Sequence, residues 1–290
     1  MKEAILYDRL DRNKVRCKAC NLRCVIPEGK RGICKVRENR GGTLYSLNYG
    51  LTIAQSIDPI EKKPIYHFHP GSRTYSIAAM GCNMRCPWCQ NYRISQVKSD
   101  REAINGIEIS PQEHVRRARS YGIDTMAYTY TEPTIFIEYA LDTMKEAKKH
   151  DMNNVWVSNG YMTPEALDAI MPYLDAINID YKGDLGVYRK YCNGSTEPIM
   201  KNMEKLYRSQ VHLEVTTLVI PHINDQQSQL ETVAEAIATR LGKDVPWHIS
   251  RFHPAWKMSD TPPTPRETLD LAYRIGKRFG IRTIHIGNVF

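Results

Sequence analysis

The chain has 290 residues, 42% of them hydrophobic and 25% charged, which is enough apolar surface for one large core or two smaller ones. Its formal charge of +8 permits an acidic partner or nucleic acid without demanding either, because acidic residues lie among the basic ones. Residues 1–16 are charged and lack an apolar signal region, and no run approaches membrane-spanning length, so the expected compartment is the reducing cytosol, where grouped cysteines act as metal ligands.

In chain order, the first feature is Cys17, Cys20, Cys24 and Cys34, spaced C-x2-C-x3-C-x9-C. They sit in a turn-rich module too small to make a good core alone, so a bound metal would explain how it folds. Spacing does not choose between structural zinc and an auxiliary iron–sulfur cluster. Short alternating segments such as 43–49 follow, then a stretch marked by Pro59, Pro64, Pro70 and Gly71. A change of texture near residue 73 predicts two domains: 1–73, Cys-rich and metal-binding with short strands, and 74–290.

Beyond residue 73 strand-like and helix-like patterns alternate, which predicts an α/β fold with a parallel sheet wrapped by helices. Strands are expected at 74–79, 125–130, 155–158, 176–180, 212–219, 247–252 and 282–286. The best-signalled helices are 111–121 and 164–171, opened by Ser110-Pro111 and Thr163-Pro164, with 133–150, 226–240 and 266–279. About six such units are fewer than a closed eightfold barrel needs, so the expected architecture is an open, partial β/α barrel.

Directly after the first of these strands come Cys82, Cys86 and Cys89, spaced C-x3-C-x2-C. Three thiolates on one loop hold three corners of a 4Fe-4S cubane and leave the fourth iron open to a small molecule. A zinc knuckle is the competing reading, but zinc sites usually present four ligands in two pairs. Barrel chemistry gathers at the C-terminal strand ends, and these are polar here: Tyr130-Thr131-Glu132-Pro133, Ser158-Asn159-Gly160, Asp180-Tyr181-Lys182, then Glu214, Thr216 and Thr217, and Arg251-Phe252-His253-Pro254. Each alone is an ordinary cap or turn; together they read as one rim.

The triplet and partial barrel resemble the radical S-adenosylmethionine superfamily, in its pyruvate formate-lyase activating enzyme-like branch and most closely the AmmeMemoRadiSam-system proteins. The closer likeness is carried by the opening cysteines with Val36-Arg37-Glu38-Asn39, by residues 61–68 (EKKPIYHF), 128–135 (YTYTEPTI) and 284–289 (IHIGNV). The resemblance implies a 4Fe-4S cluster on Cys82, Cys86 and Cys89, with S-adenosylmethionine chelated at the open iron and split by one electron. The resulting 5′-deoxyadenosyl radical would abstract hydrogen from a protein or small-molecule substrate, as an oxidoreductase resembling the activating enzymes. It further implies that Trp88 packs near the adenine, that Thr131 and Glu132 occupy the motif meeting the methionine amino group, and that Asp180 and Lys182 form the Asp-x-Lys motif. His253 would approach the ribose, with Ser158 and Asn159 as polar partners. The family pattern has two glycines where this chain has Tyr130 and Thr131. A low-potential donor such as flavodoxin or ferredoxin would supply the electron.

Competing classes are an iron–sulfur carrier or scaffold without radical chemistry, and a zinc-bearing nucleic-acid binder. The first leaves the polar rim unexplained, and the second lacks a concentrated basic and aromatic surface. Cys192 reads as a packed thiol, His67 and His69 as a turn pair before Pro70-Gly71, and Arg116, Arg117 and Arg119 as the solvated face of a helix.

Overall fold

A computed structural model describes residues 1–289 as an α/β protein built on a mostly parallel sheet. Packing divides it into two units, one of residues 1–84 and 91–177 and the other of residues 85–90 and 178–289. This is a grouping by contacts, a different property from the boundary in texture near residue 73.

The first unit opens with two small antiparallel sheets, one of Lys2–Glu3, Thr43–Ser46 and Arg37–Arg40, the other of Tyr7–Arg9, Val15–Cys17 and Val25–Ile26. Their apolar residues are few: Ala4, Val15, Cys17, Ala19, Ile26 and Leu44 form the cluster. So small a core needs anchorage. Arg37 and Glu138 supply it, as a buried ion pair with Nη2 2.6 Å from Oε2 and Nη1 3.1 Å from Oε1. Arg23 reaches Glu165 at 3.0 Å, and Asn21 Nδ2 donates to the Met162 carbonyl at 2.6 Å.

The rest of this unit is half a barrel. Leu51–Pro59 runs antiparallel to Arg73–Ala79, and Thr125–Tyr128 lies parallel between Arg73–Ala79 and Asn153–Ser158. Every residue of Thr125–Tyr128 is buried, as expected of a strand covered on both faces. The helices begin where the sequence places them. Ser110 Oγ accepts from the Glu113 amide and Thr163 Oγ1 from the Ala166 amide, each with proline in the first turn. The expected 133–150 helix is a 3-10 turn, Pro133–Phe136, followed by Ile137–Lys148.

In the second unit His212–Val219, Trp247–Arg251 and Ile284–Gly287 run parallel. Helix Arg266–Arg278 lies close on them at Gly276, where a Cβ would stand 2.6 Å from Ile284 Cδ1 and 2.9 Å from the Trp247 ring. Thr196–Tyr207 forms a further helix, its apolar side carried by Ile199, Met200, Met203 and Leu206. The expected 226–240 helix ends as a π-turn, Ile237–Leu241, and a second π-turn spans Tyr188–Cys192. Arg116 and Arg117 pair with Glu113 on an exposed helix face, as expected. Among the described residues no helix is long and apolar enough to cross a membrane.

Candidate functional site

The cysteine loop leaves strand Arg73–Ala79 through Gly81, whose φ of +114° is a conformation L side chains rarely adopt. A Cβ there would stand 2.7 Å from Val36 Cγ1, so the turn is glycine for space as well as backbone. Cys82 follows at once, and its sulfur accepts from the Met84 amide at 3.4 Å.

Three of the expected site residues, Glu132, Ser158 and Asn159, meet Cys82 in one polar net within the first unit, and Thr131 bonds separately to the backbone. Glu132 is 3% exposed, and its carboxylate accepts from the Thr134 amide (3.0 Å), Thr134 Oγ1 (2.5 Å), Ser158 Oγ (2.8 Å) and the Asn159 amide (2.8 Å). Burial raises the Glu132 pKa, and these bonds oppose it. Asn159 Nδ2 donates to Asn83 Oδ1 at 2.7 Å and stands 4.0 Å from Cys82 Sγ, while Thr131 Oγ1 donates to the Ala79 carbonyl at 2.7 Å. Glu132 therefore holds the 158–160 turn against the cysteine loop, and all four of these bonds come from protein.

Tyr130 has φ +66°. A glycine would adopt that backbone without strain, whereas a tyrosine needs compensation. Its hydroxyl binds Asp58 Oδ2, and its ring lies 4.7 Å from Lys63 Nζ. Lys63 is itself buried and 2.7 Å from Asp58, with Lys62 at 2.6 Å from the same carboxylate. Burial works against the Asp58 charge, but the two ammonium groups and the Tyr130 hydroxyl outweigh it and hold its pKa well below the ordinary range. No spacing in the sequence joins this network, since Asp58 and Tyr130 lie 72 residues apart. His69 packs edge-on to Phe68 and accepts from the Ser72 amide through its carbonyl, consistent with a turn.

The second unit gathers Cys86, Asp180 and Lys182. Lys182 Nζ is 3.0 Å from Asp180 Oδ2, and Tyr188 Oη bridges the Lys182 amide (3.0 Å) and the Asp180 carbonyl (3.2 Å). Burial opposes the Lys182 charge, but Asp180 and then Cys86 outweigh it and raise its pKa well above the lysine value. Cys192, at the end of the π-turn, is buried with its sulfur 3.5 Å from that of Cys86. Cys192, followed by Lys182, lowers the Cys86 pKa against the effect of burial. This sulfur pair escaped sequence reading, since 106 residues separate its members. Trp88 stands 6.0 Å from Tyr191, ring to ring.

His253 lies against the last strand, its Nε2 3.0 Å from the Asn288 carbonyl oxygen. Glu214 corrects the expected rim. It is two residues into His212–Val219, at the N-terminal end of that strand, fully buried between His212 Nε2 (2.8 Å) and His248 Nε2 (2.5 Å). Thr217 is structural, accepting from Trp247 Nε1 at 3.0 Å and donating to the Tyr181 carbonyl at 2.9 Å.

Cys17, Cys20, Cys24 and Cys34 line one cavity of the first unit. Burial raises the pKa of Cys17 and Cys20, and that of Cys34 to about 11. Among the described residues no three His, Cys, Asp or Glu side chains are already drawn together to hold an ion.

Comparison with known proteins adds the family. Residues 77–234 match the description "Radical SAM superfamily". An uncharacterized protein of Methanocaldococcus jannaschii is 43% identical over 289 residues, covering 100% of this chain and 86% of the relative. The (2S)-3-sulfopropanediol dehydratase activating enzyme of Klebsiella oxytoca is 27% identical over 112 residues, 38% of this chain and 35% of that enzyme. Among solved structures, a radical SAM methyltransferase from Sphaerobacter thermophilus aligns with a TM-score of 0.54 at 15% identity, over 77% of this chain and 68% of its own, a likeness of fold.

Proposed function

We propose, from the premise that this chain belongs to the radical SAM superfamily, whose members use a 4Fe-4S cluster and S-adenosylmethionine, that it is an activating-enzyme-like oxidoreductase. In this reading Cys82, Cys86 and Cys89 are the cluster ligands. When bound, the cluster supplies the electron that divides S-adenosylmethionine into methionine and a 5′-deoxyadenosyl radical, which takes hydrogen from a substrate.

The donor chemistry fits. Cys82 Sγ already accepts a backbone amide at 3.4 Å, and Cys86 is biased toward thiolate by Cys192 and Lys182. Asp180, 41% exposed at its side chain, and the Lys182 ammonium offer opposite charges to a ligand bearing an amino and a carboxylate group. Glu132 acts through others, keeping Ser158 and Asn159 in place, and Trp88 supplies an aromatic face for adenine. His253 stands as the ribose partner. The observation that carries the reading is the Glu132 net, which ties two strand ends to Cys82. An electron carrier would have no use for that convergence beside a three-thiol loop.

The test is anaerobic reconstitution followed by dithionite and S-adenosylmethionine. Release of 5′-deoxyadenosine and methionine is expected, and a reducible cluster without it would contradict the proposal. Whether the substrate is a protein or a metabolite is read by following deuterium from candidates into 5′-deoxyadenosine. A flavodoxin or ferredoxin is the proposed donor, checked by substituting it for dithionite.

A further inference from the structure

The four-cysteine cavity also holds two nitrogen donors that lack partners. Arg37 is 1% exposed and spends both terminal nitrogens on Glu138, which leaves its Nε without an acceptor. Asn83 is 0% exposed and uses Oδ1 to accept from Asn159, while its Nδ2 has no acceptor. Both residues line the cavity beside Cys17, Cys20, Cys24 and Cys34. A buried N–H without a partner is costly, so two at one place point to an acceptor that belongs there.

A metal tetrathiolate is such an acceptor. Four thiolates around a divalent ion carry a net charge of −2, spread over sulfurs that take N–H···S bonds, and outer donors of this kind orient metal ligands. Arg37 and Glu138 cancel each other and leave that charge unmatched except by the two N–H groups. Four cysteines line the cavity, and zinc takes four such ligands with no position left over.

We propose that Cys17, Cys20, Cys24 and Cys34 bind one zinc ion as a tetrathiolate whose sulfurs accept from Arg37 Nε and Asn83 Nδ2. Binding exchanges four S–H bonds for four Zn–S bonds and releases four protons, with no electron transferred. The sulfurs close in around the ion from their present spread. Zinc in this position fixes Asn83, which neighbours Cys82 and carries Asn159 on its other face, so the ion braces the cysteine loop from behind. The proposal does not rest on radical chemistry.

The experiment uses the full chain with Cys82, Cys86 and Cys89 all changed to Ala, purified anaerobically, with metals counted by plasma mass spectrometry. Zinc near one per chain is expected, falling at least tenfold when Cys24→Ser is added. Iron retained in place of zinc, or neither metal retained, would overturn the proposal. Should Cys24→Ser not fold, cobalt exchanged into the triple variant decides. The spectrum of a tetrahedral cobalt tetrathiolate supports the site, and that of an octahedral or nitrogen–oxygen-bound ion contradicts it.

Discussion

The two groups of cysteines stand in opposite environments. Cys17, Cys20 and Cys34 sit in a cavity where burial disfavours their thiolates, with their charged neighbour Arg37 committed to Glu138. Cys86 is as deeply buried, but Cys192 and Lys182 favour its thiolate. The difference separates two ways of building a sulfur site. One lets the metal displace the protons, so the site is also a folding device. The other is electrostatically prepared, with Lys182 and Cys192 beside Cys86 in the same unit.

The largest expected break in this comparison is at the anchor of the first group. Arg37→Leu strands the Glu138 carboxylate at a position without solvent, and a loss of about 3–5 kcal/mol is expected in denaturant unfolding. A loss below about 1 kcal/mol would mean that the module is held by something else.

Next is a pH effect on the wall of the same unit. His114 is buried against Thr52 Oγ1 at 2.8 Å, and burial pushes its pKa down to about 4 from 6.5. A depressed folded-state pKa gives stability that is complete above the unfolded value and is lost as pH falls through the folded one. Unfolding free energy should therefore drop by about 3 kcal/mol between pH 6.5 and 4, and His114→Gln should flatten that slope. An equal slope in both proteins would refute the assignment.

The smallest effect sharpens the second group. With a cluster on Cys86 that sulfur would have no proton to donate, so Cys192 would donate S–H to it across the same 3.5 Å and favour the more negative, reduced state. Cys192→Ala should lower the midpoint potential by a few tens of millivolts, the equivalent of about 1 kcal/mol, and Cys192→Ser by less. An unchanged potential would leave Cys192 as packing alone.

Local chemistry was legible in the sequence. Ser110 and Thr163 announce their helices because capping acts over three residues, and the spacing of Cys82, Cys86 and Cys89 on one loop is what suggests the proposed cluster site. Contacts across the fold were not legible. Arg37 and Glu138 are 101 residues apart, and Tyr130 and Asp58 are 72 apart, so no periodicity joins them. Glu214 was misread for a related reason: polarity along His212–Val219 does not say which end of the strand a residue occupies, and this carboxylate is satisfied by two imidazoles at the N-terminal end.

Reductive cleavage of S-adenosylmethionine at the loop of Cys82, Cys86 and Cys89 is tested most directly by 5′-deoxyadenosine formed by the reconstituted, reduced protein, measured beside Cys82→Ala. Product is expected from the parent and none above background from Cys82→Ala. Equal yields from both, or none from a parent carrying an intact reducible cluster, would contradict it.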